Sequence, residues 1–311
     1  MLRHAMALVT ALACTAQAEE FTIGTGSATL TYAPVARIIA DAVGPQAGLT
    51  LVPLVTRGSL DNIEAIMDGR RASGFAQSDI GFWASEGSGI WSGRPPAEDL
   101  RTIAALYPEH IHVVTLAESA VETLEDLQNK RIALDEVGSG THVDGRLILE
   151  AVGLRSDQYA VETFGGREAA DALVEGRIDA FVVVAGYPTA AIADLAARAP
   201  IRLVPIDGDV AVELLWLHGF LERSTVPDGA YAGVPGVETV SVGAHWFTHA
   251  DVPEDVIYEI TRALFSDATR DRLAAGHPKG SEITPGTALD GVAVPLHRGA
   301  VRFYEESGVM D

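Results

Sequence analysis

The sequence predicts an α/β protein of two similar lobes with a ligand cleft between them, and three observations carry that prediction. Short apolar strands alternate with amphipathic helical stretches along the chain, the pattern that builds helix-flanked sheets. One strand–turn–helix plan occurs twice, about 110 residues apart. Two long apolar segments, Thr102–Leu116 and Thr239–Thr248, stand where the chain would pass from one copy to the other and back. At 311 residues and 32.8 kDa there is chain enough for two cores that need neither disulfides nor structural metal.

The first copy opens with a strand at Phe21–Ile23 that runs into Gly24-Thr-Gly26-Ser27-Ala-Thr29. A helix follows with Val35, Ile38, Ile39, Ala42 and Val43 on one face, Thr31 as N-cap and Gly44 as its stop. Leu49–Val55 is the next strand, and Thr56-Arg57-Gly58-Ser59 leads into a helix carrying Leu60, Ile63, Ile66 and Met67. A strand at Ser73–Gln77 closes the unit, with Asp79 as N-cap of a further helix. The second copy reads strand Arg131–Leu134, turn Gly138-Ser139-Gly140-Thr141 and a helix with Val143, Leu147, Ile148 and Ala151. Strand Val161–Phe164, turn Gly165-Gly166-Arg167 and strand Ala180–Val184 complete it. The helix ends match in type: Met67-Asp68-Gly69-Arg70 before Phe75, against Val174-Glu175-Gly176-Arg177 before Phe181. Residues 1–18 are expected to be a signal peptide, 19–108 with 248–311 one lobe, and 109–247 the other.

That signal reading rests on Arg3 and His4, the apolar run Ala5–Ala16, and the small-x-small triplet Ala16-Gln17-Ala18 before Glu19-Glu20. A buried N-terminal helix or a lipid-bearing Cys14 are the alternatives. Cleavage after Ala18 leaves no cysteine, which removes thiol nucleophiles, Cys-ligated metals and disulfides together. The net charge of -21 becomes -22 with the loss of Arg3, so a phosphate-tracking or anionic-membrane surface is excluded. The expected product is an exported, periplasmic monomer without metal or cofactor.

Four strand–Gly/Ser–helix turns, at Gly24–Thr29, Arg57–Ser59, Ser139–Thr141 and Gly165–Gly166, aim unsatisfied backbone N–H groups at the mouth of the sheet. Any one of their hydroxyls can be a simple N-cap. Four at matching places, with Arg57 and Arg167 beside two of them, point to an anion site in a locally positive cleft. Gln77 can face the cleft, and Tyr32 and Tyr187 follow Gly-rich turns, where they either cover a ligand or pack. Competing chemistries fail on the residues. Thr29 stands where a dinucleotide fingerprint needs its third glycine, and there is neither a P-loop nor a G-x-S-x-G elbow. His245 and His249 fall in an expected strand, about 13 Å apart. Asp207-Gly208-Asp209 reads as a turn, too short for a calcium loop.

The segments Gly24-Thr-Gly26-Ser27, Gly58-Ser59-x-x-Asn62, Gln77-Ser78-Asp79, Ala104-Ala-Leu-Tyr107, Gly138-Ser-Gly-Thr141, Gly186-Tyr-Pro188 and Pro295–Tyr304 resemble the TAXI-type solute receptors of TRAP transporters. The resemblance runs from about Phe21 to Gly308. It implies a type II periplasmic-binding-protein fold, capture of a small carboxylate such as glutamate or 2-oxoglutarate, and delivery to the TRAP membrane subunits. Arg57 and His142 depart from the family pattern. The expected contacts are Ser27, Tyr32, Arg57, Ser59, Gln77, Ser78, Ser139, Thr141 and Tyr187. The alternatives are an exported enzyme using Glu109 or His110 as general base, and a sensory input module of the same fold.

Overall fold

The computed structural model describes residues 20–310; the expected signal segment and Cys14 lie outside the described residues. The chain begins with β1 (Glu20–Gly24), α1 (Tyr32–Ala47), β2 (Thr50–Leu54), α2 (Ser59–Met67), β3 (Ser73–Gln77) and α3 (Ser78–Glu86). Next come the long β4 (Leu100–Leu116), β5 (Arg131–Ala133), α4 (Gly140–Ala151), β6 (Ala160–Glu162), α5 (Gly166–Val174) and β7 (Ala180–Ala185). Then follow α6 (Ala190–Ala196), β8 (Ile201–Val204), α7 (Gly208–Leu217), β9 (Glu222–Val226) and β10 (Val237–His249). Helices α8 (Glu254–Leu264), α9 (Asp267–Gly276) and α10 (Arg298–Ser307) end it.

The strands lie in the order β2-β1-β3-β10-β4-β7-β5-β6, with β8 paired to β4 and β9 to β10. β1, β2 and β3 are mutually parallel, as are β5, β6 and β7, and each set borders one of the two long antiparallel strands. β10 pairs with β3 through Ala244–Thr248 and with β9 through Val237–Ser241. β4 likewise meets the end of β10 from Leu100 onward and meets β7 through His110–Val114. The two expected crossings are therefore two continuous strands, each belonging to one lobe at one end and to the other lobe at the other. Pro108 does not break β4, because its partner is Gly243 beside a bulge where a missing N–H costs little.

The repeated helix ends are real and share one geometry. Gly69 and Gly176 both take φ +69°, and each donates its N–H to the carbonyl three residues back, at 3.0 and 3.1 Å. Arg70 and Arg177 then bond to Ala65 and Ala172, closing the same left-handed cap before Phe75 and Phe181, both fully buried. Three local expectations need correction. Gly44 does not stop α1, which runs on through Pro45 to Ala47 and ends at Gly48, φ +69°. Gly44 is instead where the helix approaches β2, since a Cβ there would meet the Leu49 carbonyl at 3.0 Å. Thr31 holds the N-cap position of α1 as expected, but its hydroxyl donates to the Gly186 carbonyl of the other lobe instead of capping the helix. Asp79 is not an N-cap: Gln77 occupies that position and Asp79 sits, fully buried, in the first turn of α3.

Asn62 of α2 organises the first lobe's loops. Its Nδ2 donates to the carbonyls of Thr25 (2.6 Å) and Phe75 (2.7 Å), and its Oδ1 accepts from Arg71 at 3.2 Å. The side chain is fully buried, so truncation leaves two carbonyls dry and unpaired. Asn62→Ala is expected to cost about 2–4 kcal/mol in urea unfolding, against about 0.5 kcal/mol or less for a control at exposed Glu86.

Candidate functional site

Two helix N-termini face each other across the lobes. In the first lobe Gly58, at φ +108°, turns the chain from β2 into α2; in the second, Gly138, also at φ +108°, turns it from β5 toward α4. The Gly58 Cα side lies against Ser139, and the Leu60 N–H donates to the Gly138 carbonyl at 3.1 Å. Between and beside these turns is a narrow cleft lined by residues of both lobes.

Seven of the nine expected contact residues line this cleft: Ser27, Tyr32, Arg57, Ser59, Gln77, Ser139 and Thr141. The structure thus draws together residues spread over 115 positions of sequence. Ser78 and Tyr187 are outside the lining. Ser78 accepts the Gly243 N–H at 3.3 Å, while the Tyr187 ring packs edge-on to His110 and under the buried Lys279 ammonium, 4.1 Å from the ring centre. His142, next to the Ser139 turn, points its Nδ1 toward the Asp135 carbonyl and also stands outside the lining. His110 faces away too: its Nε2 meets the Ser224 hydroxyl at 2.8 Å, and burial drives its pKa down to about 2. Its ring is engaged with Ser224 and stands outside the lining of the cleft.

The hydroxyls are already half engaged. Ser59 Oγ accepts the Gln77 N–H (3.1 Å), Ser139 Oγ caps α4 by accepting the His142 N–H (3.1 Å), and Thr141 Oγ accepts the Val184 N–H (3.1 Å). An oxygen fixed as acceptor by backbone keeps its own proton to donate. Beside them, the amides of Gly140 and Thr141 fall in the first turn of α4, where no intrahelical acceptor exists. The pattern of turns seen in sequence therefore builds a donor-rich wall.

The charge balance overturns the expected positive cleft. Arg57 is the one cation in the lining; it is more than half exposed and already paired to Asp61 at 2.9 Å. Arg167 lies on the exterior, paired with Asp194. Against Arg57 stand two carboxyls that the spacing of turns gave no reason to place there, Glu109 and Asp135. Glu109 accepts the Tyr32 hydroxyl at 2.5 Å; burial raises its pKa to about 8, with Tyr32 and Lys279 opposing and Asp79 reinforcing. Burial likewise lifts Asp135 to about 6. At about pH 7 Glu109 is therefore mainly in its neutral, donating form, whereas Asp135, though raised, remains mainly ionised, so the wall gains one donor without gaining positive charge. Leu30, Thr31 and Val184 supply the remaining surface, and among the described residues no cluster of three or more metal-ligating side chains forms.

The lobes are in contact around the cleft. Gln77 donates to Asp144 at 2.8 Å, the Ala191 N–H reaches the Thr29 carbonyl at 3.3 Å, and Trp83 packs edge-on against Phe220 with centroids 5.0 Å apart. Two lobes linked by two strands and closed over a polar cleft are the architecture of the periplasmic binding proteins. The chain belongs to the NMT1-like family, whose profile matches residues 23–308. Its fold is similar to that of the periplasmic binding protein BugD, at 12% identity and TM-score 0.54 over 94% of this chain and 98% of that one. It is similar to malate-bound MatC from Rhodopseudomonas palustris, at 17% identity and TM-score 0.54 over 82% and 88%. It is also similar to the alkanesulfonate-binding protein SsuA from Xanthomonas axonopodis pv. citri bound to MOPS, at 15% identity and TM-score 0.52 over 92% and 83%.

Gly140 makes closure testable. A Cβ at this position would lie 1.1 Å from Gln77 Oε1, yet the glycine's own backbone has no positive φ that a side chain would strain. Gly140→Ala should therefore fold normally and fail to close, giving a larger radius of gyration in small-angle scattering and an unchanged circular dichroism spectrum.

Proposed function

We propose that this chain is an exported, non-enzymatic receptor that captures a small organic anion and delivers it to the membrane subunits of a TRAP-type transporter. The ligand class is a dicarboxylate or an acidic amino acid, of which 2-oxoglutarate and glutamate are the examples to try first. The observation that carries this reading is the donor wall: hydroxyls of Ser59, Ser139 and Thr141 fixed as acceptors by backbone, beside the first amides of α4. Family membership, the shared two-lobed fold and the presence of malate in one structural neighbour and MOPS in another support it. The TRAP assignment rests on the resemblance of the turn motifs. The proposed lobes are 19–108 with 248–311, and 109–247, after removal of residues 1–18. Ser27, Tyr32, Gln77 and Arg57 complete the proposed contact set, while Ser78 and Tyr187 brace the walls behind it.

A thermal-shift screen of dicarboxylates, oxoacids and amino acids tests the ligand class, because a micromolar ligand at millimolar concentration adds about 4 kcal/mol of stability. Absence of any shift across these three groups would sink the reading. Removing Arg57 takes away an exposed, already paired cation, so Arg57→Ala is expected to weaken carboxylate binding only about tenfold in calorimetry. Thr141→Val removes a buried donor and orphans the Val184 N–H, and should cost more, about 100-fold.

Glu109 favours one subclass over another, and pH separates them. A dicarboxylate accepts from the protonated carboxyl, so its affinity is full below about pH 8 and falls as pH rises through that value. An amino acid whose ammonium pairs with Glu109 needs the ionised form, so its affinity holds or rises through the same range. Calorimetric titrations at about pH 6.5 and about pH 9 distinguish the two, and Glu109→Gln should flatten either profile.

A further inference from the structure

Behind the cleft floor a second set of acids meets where the lobes join. Asp79, in the first turn of α3, belongs to one lobe, and Asp144, on α4, belongs to the other; they are 0% and 1% exposed. Gln77 Nε2 donates to one oxygen of Asp144. Three carboxyl oxygens, both of Asp79 and the other of Asp144, are buried without a partner, as is Gln77 Oε1. Apolar side chains of both lobes pack nearby: Val143 of α4 is embedded in the first lobe's cluster with Leu60, Ile63 and Ile80.

Two ionised carboxylates cannot be pressed together in such a site without a counter-charge. Asp144 is acted on by Asp79, Gln77 and Glu109, and none of these is a cation. Asp79 is acted on by its own helix's backbone and by Asp144. Lys279 acts on Glu109 and is tied to Glu282 at 2.9 Å, and the buried His245 imidazole, whose Nε2 stands beside Gly243 and the Ser78 hydroxyl, is held neutral by burial, its pKa lowered to about 4. Tyr32 faces Glu109 and Thr141 faces the Val184 amide, so neither donates to the pair.

We propose that Asp79 and Asp144 form a proton-binding site assembled only when the lobes close, so that the protein takes up a proton as it captures its ligand. The proposal rests on the reading of the chain as a receptor that closes. The shared proton lies between two carboxyls contributed by different lobes, with Gln77 orienting the Asp144 side. Burial, followed by the charge of its neighbour, lifts Asp144 well above the carboxylate range, and burial lifts Asp79 to about 6. The sign follows from linkage. A group whose pKa is higher in the closed form favours closure fully below its open-form value, and that contribution is lost as pH rises through the closed-form value. Across that window the closed-to-open ratio falls about tenfold per pH unit for one proton.

The test is the closed fraction of the full chain without ligand, read as radius of gyration by small-angle X-ray scattering from about pH 5.5 to about pH 9. The wild type should expand as pH rises. Asp144→Asn places a permanent N–H where the shared proton sits and keeps the Gln77 contact, so this variant should stay compact at the upper end. Asp79→Asn offers the same N–H from the other side, and serves if the first variant does not fold. A wild-type dimension that does not change with pH overturns the proposal, as do amide variants that expand in parallel with the wild type. Compaction at about pH 9 by sodium but not by choline would assign a metal ion to the site and overturn it equally. Because no ligand is used, a failed ligand screen would remove the receptor reading and leave this result standing, and the converse also holds.

Discussion

The closed arrangement depends on one close approach, that of Gln77 to the start of α4. Gln77 ends β3 and heads α3 in the first lobe, and its amide lies over Gly140 with no room for a methyl group between them. From that seat it reaches Asp144 one turn further along α4. The same approach brings Gly58 against Ser139 and lets the Leu60 amide bond to Gly138, so the two turns that line the cleft are fixed by each other. A site built this way is complete only when both lobes contribute. On the proposed reading, ligand capture and lobe closure are one event, because contacts with both walls would stabilise the closed form alone.

The two long strands explain how such an event can leave the cores intact. β4 and β10 pass between lobes while each lobe keeps clusters of its own, one around Phe75 and Trp246, others around Val182 and Phe181. Movement at the middle of two paired strands changes a few dihedral angles and leaves the packing on either side alone. Pro108 and Gly243, opposite one another near that middle, remove one ladder hydrogen bond and one side chain at the place where bending is needed. Lys279 and Tyr187 sit beside the same region, with His110 completing a cluster that joins the lobes away from the cleft.

The architecture was legible because it is written in local patterns. Alternating apolar periods, Gly-terminated helices and two unusually long apolar runs are short-range signals, and they produced the repeat, the crossings and seven of the cleft-lining side chains. Ser27, Arg57, Ser59, Ser139 and Thr141 could be found because each belongs to a turn whose position relative to a strand is fixed by the fold. Glu109 stood out in the sequence only as a candidate general base at the hinge, and Asp135 only as an acid after a strand; nothing local says that Asp135 is turned into the cleft or that Glu109 is buried against Tyr32. Asp79 and Asp144 are harder still. Each looks like an ordinary first-turn or surface acid in its own helix, and their meeting exists only in the pairing of two lobes. The region from Gly186 to Gly236, with α6, β8, α7 and β9, had no counterpart in the first copy, so the repeat offered no guide to it.

A net charge of -21 and the anion proposed for the cleft are compatible for a reason different from local positive charge. At physiological ionic strength exposed charges are screened beyond about 8 Å, so most of the acidic exterior exerts little force on a ligand inside the cleft. What matters is the state of the acids within reach. Burial holds Glu109 in its neutral form at about pH 7, and a neutral carboxyl presents a donor where an ionised one would repel. Donors fixed in advance by backbone contacts then do what an excess of arginine would do, without the desolvation cost of bringing cations into a closing interface. On the proposed reading the arrangement carries its own limit: preference for an anion lasts only while Glu109 keeps its proton, so ligand choice and pH are bound together at that side chain.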